Sequence, residues 1–170
     1  MNLFFRLLMV GFGAFFRSKL TLDDEGRISL RVLPNDLDLN FHMNNGRFLS
    51  VMDLGRIDLI IRMGMLKTLS SNGWYPVIGA IHTTFRNSLY LFERYEIVSK
   101  IIGWDEKWIY INQSIERNGE EVATAVMKTL FMSENGKVPT DLIAKALGDD
   151  GNSAPIPEEV RKLMRGTRDD

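Results

Sequence analysis

Between Asp36 and Asn45 the chain gathers two carboxylates (Asp36, Asp38), three amide side chains (Asn40, Asn44, Asn45) and His42, one of only two histidines. A helical pattern opens at Asn44 or Asn45. A helix N-terminus offers free backbone N–H groups and the positive end of a dipole. An acid/base group beside such donors is what acyl transfer needs: one part handles water or a nucleophile, the other stabilises an oxyanion. Asp38 can serve as general base toward water, or attack an acyl carbon directly as a nucleophile. Asn40 and His42 follow at i+2 and i+4, which in an extended segment project to the same side. The backbone amides of Met43, Asn44 and Asn45 are the candidate oxyanion donors, and one of the two asparagines is expected to cap the helix. Spacing alone leaves plainer readings open. Asp and Asn side chains bond nearby backbone, so Asp-Leu-Asp-Leu-Asn can simply make a turn, and His42 can be a hydrogen-bonding residue at a helix entry.

The run Asp36-Leu-Asp38-Leu-Asn40-Phe-His42-Met-Asn44-Asn45, followed by Phe48-Leu49 and Asp53-Leu-Gly-Arg56, resembles the hotdog-fold acyl thioesterases. Its Leu-Asp-x-Asn-x-His-x-Asn-Asn pattern is similar to the plant acyl-carrier-protein thioesterases. The place of Asp38 before the helix is similar to the acidic residue of the 4-hydroxybenzoyl-CoA thioesterase group. Gly103-Trp104-Asp105-Glu-Lys107 resembles the thioesterase-superfamily-member branch, and the likeness runs over residues 27 to 135. The resemblance implies hydrolysis of an acyl-CoA or acyl-carrier thioester, with Asp38 catalytic and Asn40 and His42 positioning water or orienting Asp38. It implies no cofactor or metal. It also implies a homodimer or homotetramer, because a second protomer closes the acyl tunnel. Two other functions compete: a non-catalytic module that holds acyl chains or lipids, and a hotdog dehydratase or hydratase acting on acyl-CoA.

Composition sets the outer bounds. At 170 residues, 45% hydrophobic and 25% charged, the chain is long enough for one domain with its own core. A net charge of −1 gives no electrostatic case for nucleic-acid binding. The absence of cysteine removes disulfides, thiolate metal sites and a cysteine nucleophile. Two histidines are too few for a histidine-rich metal site, and no metal-ligand spacing occurs. Gly11-Phe-Gly13 lacks the rest of a nucleotide fingerprint. The expected compartment is cytoplasmic, with membrane association as an addition.

That addition comes from residues 1–16, where Arg6 is the only charge among Leu, Phe, Met and Val. The segment is short of the ~20 residues that span a bilayer. It is weak as a signal peptide, since it lacks a basic start and a small-residue cleavage site. Docking onto the protein's own body or a partner subunit is one expectation. Contact with a membrane surface, with Arg17 and Lys19 at the headgroups, is the other.

The elements that must hold the site follow from periodicity. Ile28, Leu30 and Val32 alternate with polar neighbours as a half-buried strand, ended by Pro34-Asn-Asp. From Asn45 to about Leu66 apolar residues recur on most of the circumference of a helix, which predicts a buried one. Four strands are then predicted, at 74–86, 94–104, 107–117 and 121–132, with Val77, Gly79, Ile81, Thr83 and Phe85 on one face of the first. Asn118-Gly119 marks a hairpin. One strand, a long helix and four consecutive strands make an α+β, hotdog-type arrangement: an antiparallel sheet of about five strands wrapped around one long helix. The domain division is 1–20 (apolar segment), 21–147 (hotdog domain) and 148–170 (linker and a short helix from Pro157), with another short helix at 140–147.

Other polar residues carry weaker signals. Asp53 and Arg56, at i and i+3, suit an ion pair near a subunit interface. His82-Thr83-Thr84 suits a polar cluster at the core edge. Trp104 and Trp108 suit packing at a hairpin corner. Arg86, Arg94 and Lys107 are candidate contacts for coenzyme A phosphates, with a solvated surface equally good.

Overall fold

The helix that follows the Asp36–Asn45 run forms as α2, Asn45–Arg62, in a computed structural model that describes residues 3–149 and 155–165. Asn44 caps it, its side chain accepting from the Gly46 N–H at 2.8 Å. It stops earlier than the periodicity predicts. Gly64 adopts φ 73°, a left-handed conformation that glycine takes without a Cβ penalty, and the chain restarts as α3, Met65–Asn72.

The strands are β1 (Glu25–Arg31), β2 (Tyr75–Phe85), β3 (Arg94–Trp104), β4 (Ile109–Arg117), β5 (Glu120–Ser133) and β6 (Gly136–Val138). They form one antiparallel sheet in the order β1-β3-β4-β5-β2, with β6 paired to β5. The β3–β4 and β4–β5 pairs are hairpins, the latter turning at Asn118-Gly119 as expected. β6 was not expected, because three residues carry no readable alternation.

The inner face of the sheet packs on α2, and Phe48, Val51, Met52 and Leu54 meet Ile97, Ile115 and Ala125 in the core. The approach is close enough to demand glycine at one point. A Cβ on Gly55 would lie 2.7 Å from both Ile97 Cγ2 and Ser99 Oγ. On the outer face, α5 (Glu158–Met164) sets Val160 and Met164 against Trp108, Tyr110 and Leu130. The α4 helix (Thr140–Ala146) buries Ile143 and Ala144 beside Trp104 and Phe131. Both tryptophans pack as expected. Residues 150–154 of the expected linker, and Met1 and Asn2 of the apolar segment, lie outside the described residues.

Two expectations for β2 change. Gly79 is a bulge: the register slips between Ile78 and Ala80, and the Trp108 ring fills the place a Cβ would take. The bulge shifts the phase of the strand. Ile81, Thr83 and Phe85 do share the inner face, opposite Met127, Ala125 and Ala123, but upstream Ile78 takes that face and Val77 the other. His82 and Thr84 are exposed, so no core-edge polar cluster forms. β2 is an edge strand, and Tyr75, Val77, Ile78, Ile81 and Phe85 all keep more than a third of their surface exposed.

The apolar segment forms α1, Leu3–Ala14, and packs across α2. Arg6, Val10 and Ala14 are buried there. The docking expectation holds for this stripe of the helix.

Candidate active site

Asp38, Asn40 and His42 do not lie in an extended segment. The Asp38 N–H donates to the His42 carbonyl at 2.9 Å and the Phe41 N–H to the Asp38 carbonyl at 3.1 Å, closing a tight hairpin with Phe41 at φ 58°. Alternation therefore does not bring the three side chains together. The turn brings two of them together: His42 Nδ1 sits 3.4 Å from Asp38 Oδ2 across the hairpin mouth. Asn40 lies exposed at the tip, and its backbone N–H donates to Asp38 Oδ1 at 2.8 Å. The Asx turn expected as the plain alternative is thus present, and it fixes the carboxylate that the catalytic reading needs. Asp38 and His42 are both half-buried, with water able to reach them.

Asp36, two residues away, does something else. Its carboxylate is completely buried and accepts from Arg6 Nη2 at 2.6 Å, Arg6 Nη1 at 3.2 Å, Arg47 Nη2 at 3.0 Å and the Leu33 N–H at 2.9 Å. Its carbonyl accepts the Asn44 N–H at 2.9 Å. One residue thereby ties α1, the 34–36 turn and the first turn of α2 together beneath the Asp38 hairpin. The only sequence signal for this role was a lone arginine in an otherwise apolar segment.

Among the expected oxyanion donors, the Met43 N–H is taken by the Leu89 carbonyl at 2.7 Å and the Asn44 N–H by Asp36. The Gly46 N–H is taken by the cap. The Asn45 N–H has no protein acceptor among the described residues, and it stands at the first position of α2, where the helix dipole is most positive. His42 also pairs with Tyr90 across an isolated bridge. Tyr90 and Asn45 line a polar cleft of about 440 Å³ with Arg86, Asn87, Ser88 and Arg117.

A larger, apolar cavity lies elsewhere along the same helix. It holds about 600 Å³ and is walled by Ile57, Ile60 and Met63 of α2, by Leu3, Phe4 and Leu7 of α1, and by Ile78, Ile109 and Phe131 of the sheet. Asp53 begins its wall, about 12 Å along the axis from Asn45 at 1.5 Å per residue. The polar chemistry sits at the end of α2 and the apolar volume along its flank. At the rim Asp53 and Arg56 form the expected ion pair, and Arg56 Nη1 donates to Gln113 Oε1 at 2.7 Å. Burial pushes the Arg56 guanidinium down to about 10. Thr129 Oγ1, also in the wall, is buried without a hydrogen-bond partner among the described residues. Among the described residues no cluster of side chains could hold a metal ion.

Protein THEM6 of Xenopus laevis is 33% identical to this chain over 132 residues, covering 76% of this chain and 62% of that protein. The probable thioesterase YBR096W of Saccharomyces cerevisiae is 27% identical over 135 residues, covering 77% and 59%. The chain thus spans about three fifths of these two relatives. Among solved structures, the probable thioesterase YbaW of Escherichia coli superposes with a TM-score of 0.68 at 18% identity, covering 74% of this chain and 97% of that one. Slr0204, a 1,4-dihydroxy-2-naphthoyl-CoA thioesterase of Synechocystis, superposes at 0.63 and 12% identity, covering 73% and 95%. Identities this low speak for the fold alone, and that fold is the hotdog. Residues 32–163 match the thioesterase-like superfamily, and the chain belongs to it.

Proposed function

We propose that this protein hydrolyses an acyl thioester, with coenzyme A or an acyl carrier as the thiol and Asp38 as the catalytic carboxylate. The observation that carries the reading is the Asp38–His42 pair at 3.4 Å beside the first turn of α2. As base, Asp38 takes a proton from water while the water oxygen bonds to the thioester carbon. The carbonyl electrons move to oxygen, where the Asn45 N–H donates to them. Collapse of the tetrahedral species restores the C=O and breaks the C–S bond. The thiolate leaves with the proton that Asp38 accepted. As nucleophile, Asp38 bonds to the same carbon and expels the thiolate, and water then cleaves the mixed anhydride. His42, beside the carboxylate, orients it, and Asn40 fixes it from the turn.

Family membership supports the reaction class. The apolar volume along α2 supports an acyl group as the part of the substrate held there. The reading includes a cytoplasmic location, peripheral membrane contact through residues 1–16, and assembly as a homodimer or homotetramer. Assembly is supported by β2, a long apolar edge strand whose unpaired backbone groups invite a second copy.

The test is a hydrolysis screen over acyl-CoA and acyl-pantetheine thioesters of increasing chain length, with wild type beside Asp38→Asn. General-base loss typically lowers turnover about 10²–10⁴-fold. His42→Ala and Asn40→Ala should lower it less. Near-normal turnover in a folded Asp38→Asn variant would remove the assignment, and no turnover in wild type on any thioester would remove the reaction.

A further inference from the structure

α1 is apolar on both sides. Its inner stripe packs on α2, and its single charge, Arg6, is turned inward to Asp36. The outward stripe is Phe4, Phe5, Leu8, Met9 and Phe12, continued by Phe15 and Phe16, and Phe12, Phe15 and Phe16 are each at least two-thirds exposed. No exposed residue from Leu3 to Phe16 is polar. Such a contiguous apolar face marks an interaction site. Protein interfaces keep polar groups among the apolar ones, about one hydrogen bond per 100–200 Å², and this stripe has no polar side chain with which to make one. A second copy already has the β2 edge to pair with.

A basic cleft lies directly alongside. Met9 of α1 shares a cleft of about 310 Å³ with Arg31, Arg94 and Leu33. Arg31 and Arg94 are exposed cross-strand neighbours on β1 and β3, like charges set side by side. Arg31 donates to the Phe92 carbonyl at 3.2 Å. Neither arginine has an acidic partner within salt-bridge distance among the described residues. Lys19, also exposed, follows the helix. An apolar helix face beside unneutralised arginines matches the two layers of an anionic bilayer surface, acyl chains below and phosphates above.

The same helix also walls the 600 Å³ apolar cavity through Leu3, Phe4 and Leu7. We propose that α1 and the Arg31–Arg94 cleft dock on an anionic phospholipid surface, and that acyl chains reach the cavity from that surface past Leu3 and Phe4. The docking surface stands on α1 and the cleft. The acyl route rests on the thioesterase reading. No described helix is long and apolar enough to cross a membrane, and twelve residues of α1 lie flat in the interface.

The experiment is vesicle co-sedimentation of the full chain with phosphatidylcholine alone and with phosphatidylcholine containing phosphatidylglycerol. It is paired with hydrolysis of a short soluble acyl-CoA and of a long-chain acyl-CoA embedded in the same vesicles. Wild type should pellet with the anionic vesicles and release on added salt. Phe5→Ser with Phe12→Ser, both outside the cavity wall, should lower vesicle binding at least about tenfold. It should slow the embedded substrate and leave the short one unchanged. Arg31→Gln with Arg94→Gln should abolish the preference for anionic vesicles. Failure of wild type to bind either vesicle overturns the proposal. So does a Phe5/Phe12 variant that changes sedimentation velocity but not vesicle binding, which would make the face a contact between copies. Vesicle binding without hydrolysis of any thioester supports the docking surface and overturns the hydrolase reading and the acyl route with it.

Discussion

Arg6 and Asp36 meet at 2.6 Å with both side chains out of water, joining α1 to the segment that carries Asp38 from 30 residues away. A bidentate pair of this kind is strong only while both partners remain, because the survivor of a single deletion is a buried, uncompensated charge.

Arg6→Met should therefore destabilise the fold by about 3–5 kcal/mol, the cost of breaking a buried pair. Arg47 still faces Asp36 at 3.0 Å and should hold the loss toward the lower end. Chemical denaturation measures it. A loss below about 1 kcal/mol would mean that Asp36 does not depend on α1.

The Asn45 amide can be removed without disturbing the helix. Asn45 follows the N-cap, where proline is well tolerated, and Asn44 already has the extended backbone that a residue before proline prefers, φ −61° and ψ 137°. Asn45→Pro should leave thermal stability near wild type and lower turnover by about 10²–10³-fold, the effect of losing one oxyanion donor. Unchanged turnover would place the oxyanion elsewhere.

Gly55→Ala puts a methyl 2.7 Å from Ile97 Cγ2 and Ser99 Oγ, beneath the middle of α2. Overpacking at such a contact costs about 1–3 kcal/mol. Urea unfolding should show the loss, and a neutral result would mean that the helix can lift from the sheet.

Stability should also respond to pH through Asp58. Burial raises its carboxyl above the ordinary value, while Arg17 at 2.8 Å and Arg62 at 3.3 Å draw it down. A raised folded-state value means that the folded protein binds the proton more tightly than the unfolded chain does. The contribution of Asp58 is then greatest at low pH and is lost as pH rises through the folded value. Arg17→Ala raises that value further, so its destabilisation should be larger at pH 7 than at pH 4. Equal losses at both would leave the Arg17 bridge without effect on Asp58.

Where side chains repeat with a clear period, the fold was readable in advance. The five main strands and α2 lie within a few residues of their predicted positions, and the resemblance over residues 36–56 pointed to the right family. Period alone failed where a single glycine redirected the backbone, as Gly64 did in ending α2 and Gly79 in rephasing β2. In the candidate site, Asp38 and His42 come together by a turn rather than by alternation, because Phe41 takes a positive φ that no pattern announces. The fate of the Met43 and Asn44 amides depends on Leu89 and Asp36, partners that only the folded chain places nearby. Asp36 itself was visible as part of the motif, but its burial could not be seen without α1 in position.

The position of β2 in the sheet also has a consequence in time. Its partner strand lies 38 to 57 residues downstream, from Phe85↔Ala123 to Tyr75↔Met132. At about 5–20 residues per second of synthesis, β2 waits on the order of seconds with both edges unpaired. During that interval its Val77, Ile78, Ile81 and Phe85 have no neighbour of their own chain to zip onto. Wrong pairing is a hazard throughout that interval, which ends only when β5 has emerged.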